Sequence, residues 1–297
     1  MRGDGHHEQG RGLAFAVLAY GSWGVFPLFW KQLTHVPALE LVAHRVVWAC
    51  AAYVLLVVGK GRFSELRAAM MNRAVLKAMV PAAVLISINW LVFVYAVLTD
   101  RVLHTSLGYF LNPLVSIVLG VVFLRERLRP AQWGAVALAA IGVAQMATLA
   151  DGLPWISVVL ALSFGLYGLF RKVAPVDGLM GATVESALLL PVAGGYLAWL
   201  GATAVGTFGA TGLGTDALLL SAGVVTAAPL VWFANAARLL PLRTLGFVQY
   251  LAPTCHLLLA VYAFGEPMTA VHLRAFACIW AGIAVFTTDS WFSRRRR

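Results

Sequence analysis

Along the chain, runs of about 20 apolar residues alternate with short polar or basic gaps, the pattern of a polytopic membrane protein. The runs predict spanning helices at approximately 12–30, 40–58, 75–98, 102–124, 131–149, 154–172, 178–200, 216–237, 243–264 and 270–291. Two longer gaps interrupt the rhythm: Gly59 to Lys77 reads as a basic amphipathic segment, and Gly201 to Thr215 is rich in Gly and Thr. Pro27, Pro113, Pro191, Pro229 and Pro253 fall inside apolar runs, where membrane helices tolerate a kink if neighbours satisfy the freed carbonyl. The expectation is an all-α fold of ten transmembrane helices in one membrane domain, 1–297, without linkers.

Composition narrows the classes further. The 297 residues are 61% hydrophobic and 11% charged, where an ordinary soluble domain carries roughly 25% charged residues. A soluble enzyme, a disordered chain and a single-pass anchor are excluded. The net charge of +10 reports topology and not nucleic-acid binding, because the basic residues occupy gaps and form no single face. With the N-terminus inside, Lys31 and Arg101 fall on the outer side, Arg45 and Arg274 lie within helices, and all other Lys and Arg fall on the cytoplasmic side. That imbalance predicts both termini in the cytoplasm. Arg294 to Arg297 would hold the C-terminus inside against anionic lipid of the bilayer. The apolar run after Met1 to Gly12 is too long for a signal-peptide core and is read as the first helix.

The chain also matches itself. An offset of 140 residues places Pro113 on Pro253, Glu126 on Glu266, Leu119 on Leu259 and Gly142 on Gly282. One residue more sets Ser22-Trp23-Gly24 over Ser163-Phe164-Gly165 and Lys31 over Lys172. The reading is two repeats of five helices, about 12–149 and 154–291. Five is odd, so the second repeat enters the membrane from the opposite side, giving inverted topology with a site near the midplane.

Polar residues within the apolar runs supply the candidate site. Arg45 matches Glu185, Asn89 matches Pro229, Tyr109 matches Gln249 and Ser116 matches His256 in the two halves. Tyr109, Asn112 and Ser116 share a helix face, as do Gln249 and His256. An uncompensated charge in the bilayer costs several kcal/mol, so Arg45 and Glu185 should face the interior, a cavity or each other. Their pairing, and a proton coupled through it, is the expectation that follows. Plainer alternatives stand beside these: Arg45 and His44 snorkelling to the interface, Asn89 and Asn112 bonding between helices, and the aromatics Trp23, Trp90, Phe93, Phe164 and Tyr167 serving packing. Glu126 and Glu266, at helix ends, read as structural caps. Cys50, Cys255 and Cys278 read as packing residues. No HExxH, GxSxG, Walker A or His-rich metal cluster occurs, so the reading carries no metal, no cofactor and no enzymatic activity.

Particular segments carry a family likeness. They are Gly21-Ser22-Trp23-Gly24, His44-Arg45-Val46-Val47-Trp48, Asn89-Trp90, and the run Ser106-Leu107-Gly108-Tyr109-Phe110-Leu111-Asn112-Pro113-Leu114. In the second half they are Ser163-Phe164, Tyr167-Gly168-Leu169, Arg171-Lys172, Glu185, Gln249-Tyr250 and Pro253-Thr254. From about Leu13 to Trp291 the chain resembles the RarD branch of the EamA drug/metabolite transporters, named for chloramphenicol sensitivity, a phenotype and not a substrate. The resemblance implies ten helices, a bacterial inner-membrane location and export of a small metabolite or drug-like compound by alternating access. Trp23, His44, Arg45, Asn89, Tyr109, Asn112, Tyr167, Glu185, Gln249 and Tyr250 are the candidate substrate-binding residues, with Glu185 and Arg45 also candidates for proton coupling. Two rivals remain at this point, a lipid-modifying membrane enzyme and a non-transporting receptor or scaffold. The sequence names neither substrate nor oligomeric state.

Overall fold

The computed structural model describes residues 3–124, 129–146, 154–240 and 248–295. Its helices are α1 (Gly3–Trp30), α2 (Ala38–Gly59), α3 (Phe63–Met71), α4 (Arg73–Leu98), α5 (Val102–Leu124), α6 (Pro130–Met146), α7 (Trp155–Val173), α8 (Gly178–Thr203), α9 (Leu213–Leu239), α10 (Leu251–Leu258) and α11 (Ala270–Arg295). No strand occurs among the described residues. Each apolar run carries a helix, and the basic gap after Gly59 forms the short α3. The start of the 243–264 run and Glu126 lie outside the described residues.

Gly10–Leu33, Ala38–Gly59, Arg73–Leu98, Gly178–Thr203 and Leu213–Phe233 are long and apolar enough to cross a membrane, and shorter apolar helices accompany them. Leu55 (71% exposed), Val192 (76%) and Tyr262 (83%) face outward. On a soluble protein such residues would be a liability; on a bilayer-embedded one they meet lipid.

Helix ends show how the chain satisfies backbone donors that hydrocarbon cannot. The Asn72 side chain accepts from Ala74 N at 2.9 Å to start α4, and Asp177 accepts from Met180 N at 2.9 Å to start α8. Helix α5 has a cap from far away: Glu266 Oε1 and Oε2 accept from Val102 N at 2.6 Å and Leu103 N at 2.8 Å. A π turn, Leu259–Ala263, ends α10 and leads into the segment carrying Glu266. The expected capping role of Glu266 is thereby met.

Small residues set the helix pairings, as membrane interiors require when no hydrophobic force drives association. Helix α6 crosses α11 where a methyl added at Gly142 would lie 2.9 Å from the Ala275 carbonyl oxygen, and one at Gly282 would lie 2.8 Å from that of Ala135. A methyl added at Gly108 of α5 would lie 2.9 Å from the Ser157 carbonyl oxygen of α7, and one at Gly24 of α1 would lie 2.7 Å from Cys255 Cβ on α10. Helix α2 packs on α8 and α9, α4 on α7, and α1 on α9.

These approaches predict that Gly142→Val and Gly282→Val each destabilise the protein by about 1–3 kcal/mol through overpacking. Gly134→Val, on α6 but with nothing within 4 Å, should change little. Thermal unfolding in detergent distinguishes them.

Candidate functional site

Two turns past Ala38 on α2, about 10 Å along the helix axis, stands Arg45. It is 5% exposed, so it does not snorkel. Its guanidinium carbon lies 4.2 Å from the Trp90 ring centre, 5.7 Å from that of Trp30 and 5.9 Å from that of Phe26. Arg45 joins no ion pair among the described residues. Cation–π contact is worth about 2 kcal/mol when desolvated, while an unpaired buried ion costs several. The aromatic faces therefore offset only part of the charge's desolvation.

The expected Arg45–Glu185 pair does not form. Glu185, 3% exposed on α8, instead has Oε1 3.4 Å from Arg171 Nη1 and accepts at Oε2 from the Tyr167 hydroxyl at 3.3 Å. The Glu185–Arg171 contact is an ion pair without hydrogen-bond geometry, since Oε1 has no hydrogen-bond partner. Arg171 leaves the end of α7 and lies over Gly181, also donating to the Gly178 carbonyl at 3.2 Å. The physical reason for the correction is direction: Arg45 turns towards α1 and α4, and Glu185 towards α7. Equivalent places in an alignment do not imply contact. Buried Tyr53 on α2 links the two regions, lying within electrostatic range of Arg45, Glu185 and Arg171.

A second cluster joins α4, α5 and α7. Asn89 Nδ2 donates to the Leu160 carbonyl at 3.1 Å and to Ser163 Oγ at 3.0 Å, while its Oδ1 accepts from the Tyr109 hydroxyl at 3.1 Å. The Tyr109 ring then meets Phe93 at 5.9 Å, His256 at 5.7 Å and Phe164 at 6.2 Å, and Phe164 meets Tyr167 at 5.9 Å. A continuous row of rings thus runs from α10 through α5 and α7 to Glu185. His256, buried at its start, donates from Nε2 to the Trp23 carbonyl at 3.0 Å, which assigns that tautomer.

The remaining candidates scatter. His44 points away from Arg45: its Nδ1 accepts from Trp48 Nε1 at 3.1 Å and its Nε2 lies 4.0 Å from Glu40. The Trp23 ring packs with Tyr20 at 5.2 Å and Phe233 at 5.9 Å. Tyr250 stacks on Phe110 at 6.0 Å, Gln249 is half-buried beside it, and Asn112 keeps a buried Oδ1 without a partner. Arg45, Tyr109, Tyr167 and Glu185 are the candidates brought together, with Asn89 behind Tyr109. Tyr53, Arg171, Phe26 and Trp30 were not among the candidates. Tyr53 follows Arg45 by eight residues, two helical turns on one face, and that spacing was the available signal.

Replacing Asn89 by Leu should cost about 2 kcal/mol, since membrane hydrogen bonds average about 0.6 kcal/mol each and three are lost. Tyr109→Phe, which removes one, should cost less than about 1 kcal/mol. Reversible unfolding in mixed detergent–SDS micelles measures both, and a double mutant should show the two losses to be non-additive.

A model of the EamA-like transporter family matches residues 10–148. An uncharacterized transporter of Pseudomonas aeruginosa is 48% identical over 96% of this chain and 96% of its own length. The RarD protein of Streptomyces exfoliatus is 43% identical over 98% of this chain and 92% of its own. One crystal structure of a protein aligns with TM-score 0.59 over 96% of this chain and 98% of its own, at 19% identity, a likeness of fold alone. Full-length identity of this order, with the family model on the first half, means that the chain belongs to the EamA-like transporter family, among its RarD-type members.

Proposed function

We propose that this protein is a secondary active transporter that exports a small metabolite or drug-like compound across a bacterial inner membrane. On this reading ten helices form two inverted halves, about 12–149 and 154–291, which rock about a site lined by Arg45, Tyr109, Tyr167 and Glu185. The observation that carries it is reciprocal. Gly142 meets Ala275 while Gly282 meets Ala135, and both relations exchange under the one 140-residue offset. The wider packing exchanges in the same way: α1 on α9 answers α4 on α7, and α1 on α10 answers α5 on α7.

Polar contacts between the proposed halves occur at both ends of the bundle, where alternating access needs breakable closures. Arg62 pairs with Asp177 at 2.5 Å at one end. At the other, Glu40 accepts from the backbone N and hydroxyl of Thr207, both at 2.8 Å. Exposed pairs such as the first are weak and screened, as a gate requires. Between them, Glu185 is suited to coupling. A carboxylate beside a cation keeps its charge, and one withdrawn from it into apolar surroundings takes up a proton. Movement of Arg171 relative to α8 would switch Glu185 between these conditions, so the coupling pair becomes Glu185–Arg171 in place of Glu185–Arg45.

Reporters fused after Arg129 and at Arg297 should both read cytoplasmic; a periplasmic signal at Arg297 defeats the ten-helix topology. A thermal-shift screen of amino acids, metabolites and antibiotics identifies a ligand that stabilises the folded protein. With that compound in proteoliposomes, Glu185→Gln, which keeps the shape and removes the titratable charge, should leave binding largely intact and lose uphill transport driven by a pH gradient. Uphill transport at the wild-type rate removes Glu185 as the coupling group.

A further inference from the structure

Resting on the transporter reading, we infer that Arg45 receives the negative group of the transported compound, and that this compound is an organic carboxylate with a flat apolar body. The site is a set of donors with nothing to donate to. Arg45 Nε and Trp30 Nε1 are both buried and have no hydrogen-bond partner, and the Trp30 ring centre lies 5.7 Å from the guanidinium carbon. Trp30 is 0% exposed and Arg45 5%, so bulk water does not supply the missing acceptor.

The buried acids of the described residues are engaged elsewhere. Glu185 is held by Arg171 and Tyr167, Glu40 by Thr207, and Glu266 by the start of α5. A neutral acceptor would satisfy the N–H groups and leave the charge. A carboxylate does both, because its two oxygens match the edge of a guanidinium. Trp90, partly buried and with its ring centre 4.2 Å from the guanidinium carbon, is the flat apolar neighbour for the rest of the molecule. Tyr53 and Tyr109, within electrostatic range of Arg45, are the nearby polar groups.

The test uses the purified full chain with benzoate, its neutral near-isostere benzamide, and chloride against gluconate as background anion. Benzoate should raise the apparent melting temperature and quench tryptophan fluorescence, since Trp30 and Trp90 flank the site, and benzamide should do neither at equal concentration. Arg45→Gln should weaken the benzoate response by about tenfold or more, the loss of a charge-assisted hydrogen bond. Arg45→Lys should weaken it less, keeping the charge but not the planar edge. The benzoate–benzamide contrast is read on the wild-type protein and stands even if a variant misfolds. Equal responses to both, no response to either, or an undiminished response in Arg45→Gln overturns the inference. So does full stabilisation by chloride with nothing added by benzoate, which makes the acceptor an inorganic ion. Proteoliposome flux separates this from the reading beneath it: benzoate binding without benzoate flux keeps the anion site and defeats transport, whereas flux of a neutral compound without any benzoate response keeps transport and defeats the anion site.

Discussion

Hydrocarbon offers a polar group no partner, and that constraint decides where the chemistry of this chain can stand. Asn89, Glu185 and His256 are turned inward and each finds partners on another helix. The same constraint works on the backbone. Asn72, Asp177 and Glu266 are spent on the first N–H groups of three helices, and Glu266 does so across more than 160 positions of sequence. Once those helix ends are closed, the interior is free to carry a few groups whose requirements are met unevenly.

That unevenness is concentrated. Asn89 uses both donors and its acceptor, so it acts as a fastening between α4, α5 and α7. Glu185 is held by one true hydrogen bond and one cation without hydrogen-bond geometry. Arg45 has rings for company and no acceptor. Moving from Asn89 to Glu185 to Arg45 is a passage from a saturated structural joint to groups able to exchange partners, and the difference lies in partner count and not in burial, since all three are buried.

Much of the architecture was legible because a bilayer writes a simple code: an apolar run of fixed length is a helix, and α5 and α7 begin and end within a residue of the runs that predicted them. The use of Glu266 as a cap was legible from its place at a helix end. Contacts between helices were not. Arg45 and Glu185 matched in alignment, yet helix rotation sends them to different neighbours. Arg171 was counted as a topological charge because it ends its run, and only the long reach of its side chain over α8 carries it to Glu185. Phe26 and Trp30 sit in an apolar run with no polar neighbour to single them out, and only the rotation of α1 turns them onto Arg45.

Gly181 carries a consequence of its own. The Arg171 guanidinium passes through the space a methyl group there would fill. A single hydrogen in place of a carbon therefore keeps a corridor open along α8, and the corridor determines whether a positive charge can reach the carboxylate one turn further on. In this bundle the electrostatics of the core depend on shape: one methyl group at position 181 would displace the positive charge from the neighbourhood of Glu185 without altering any ionisable residue.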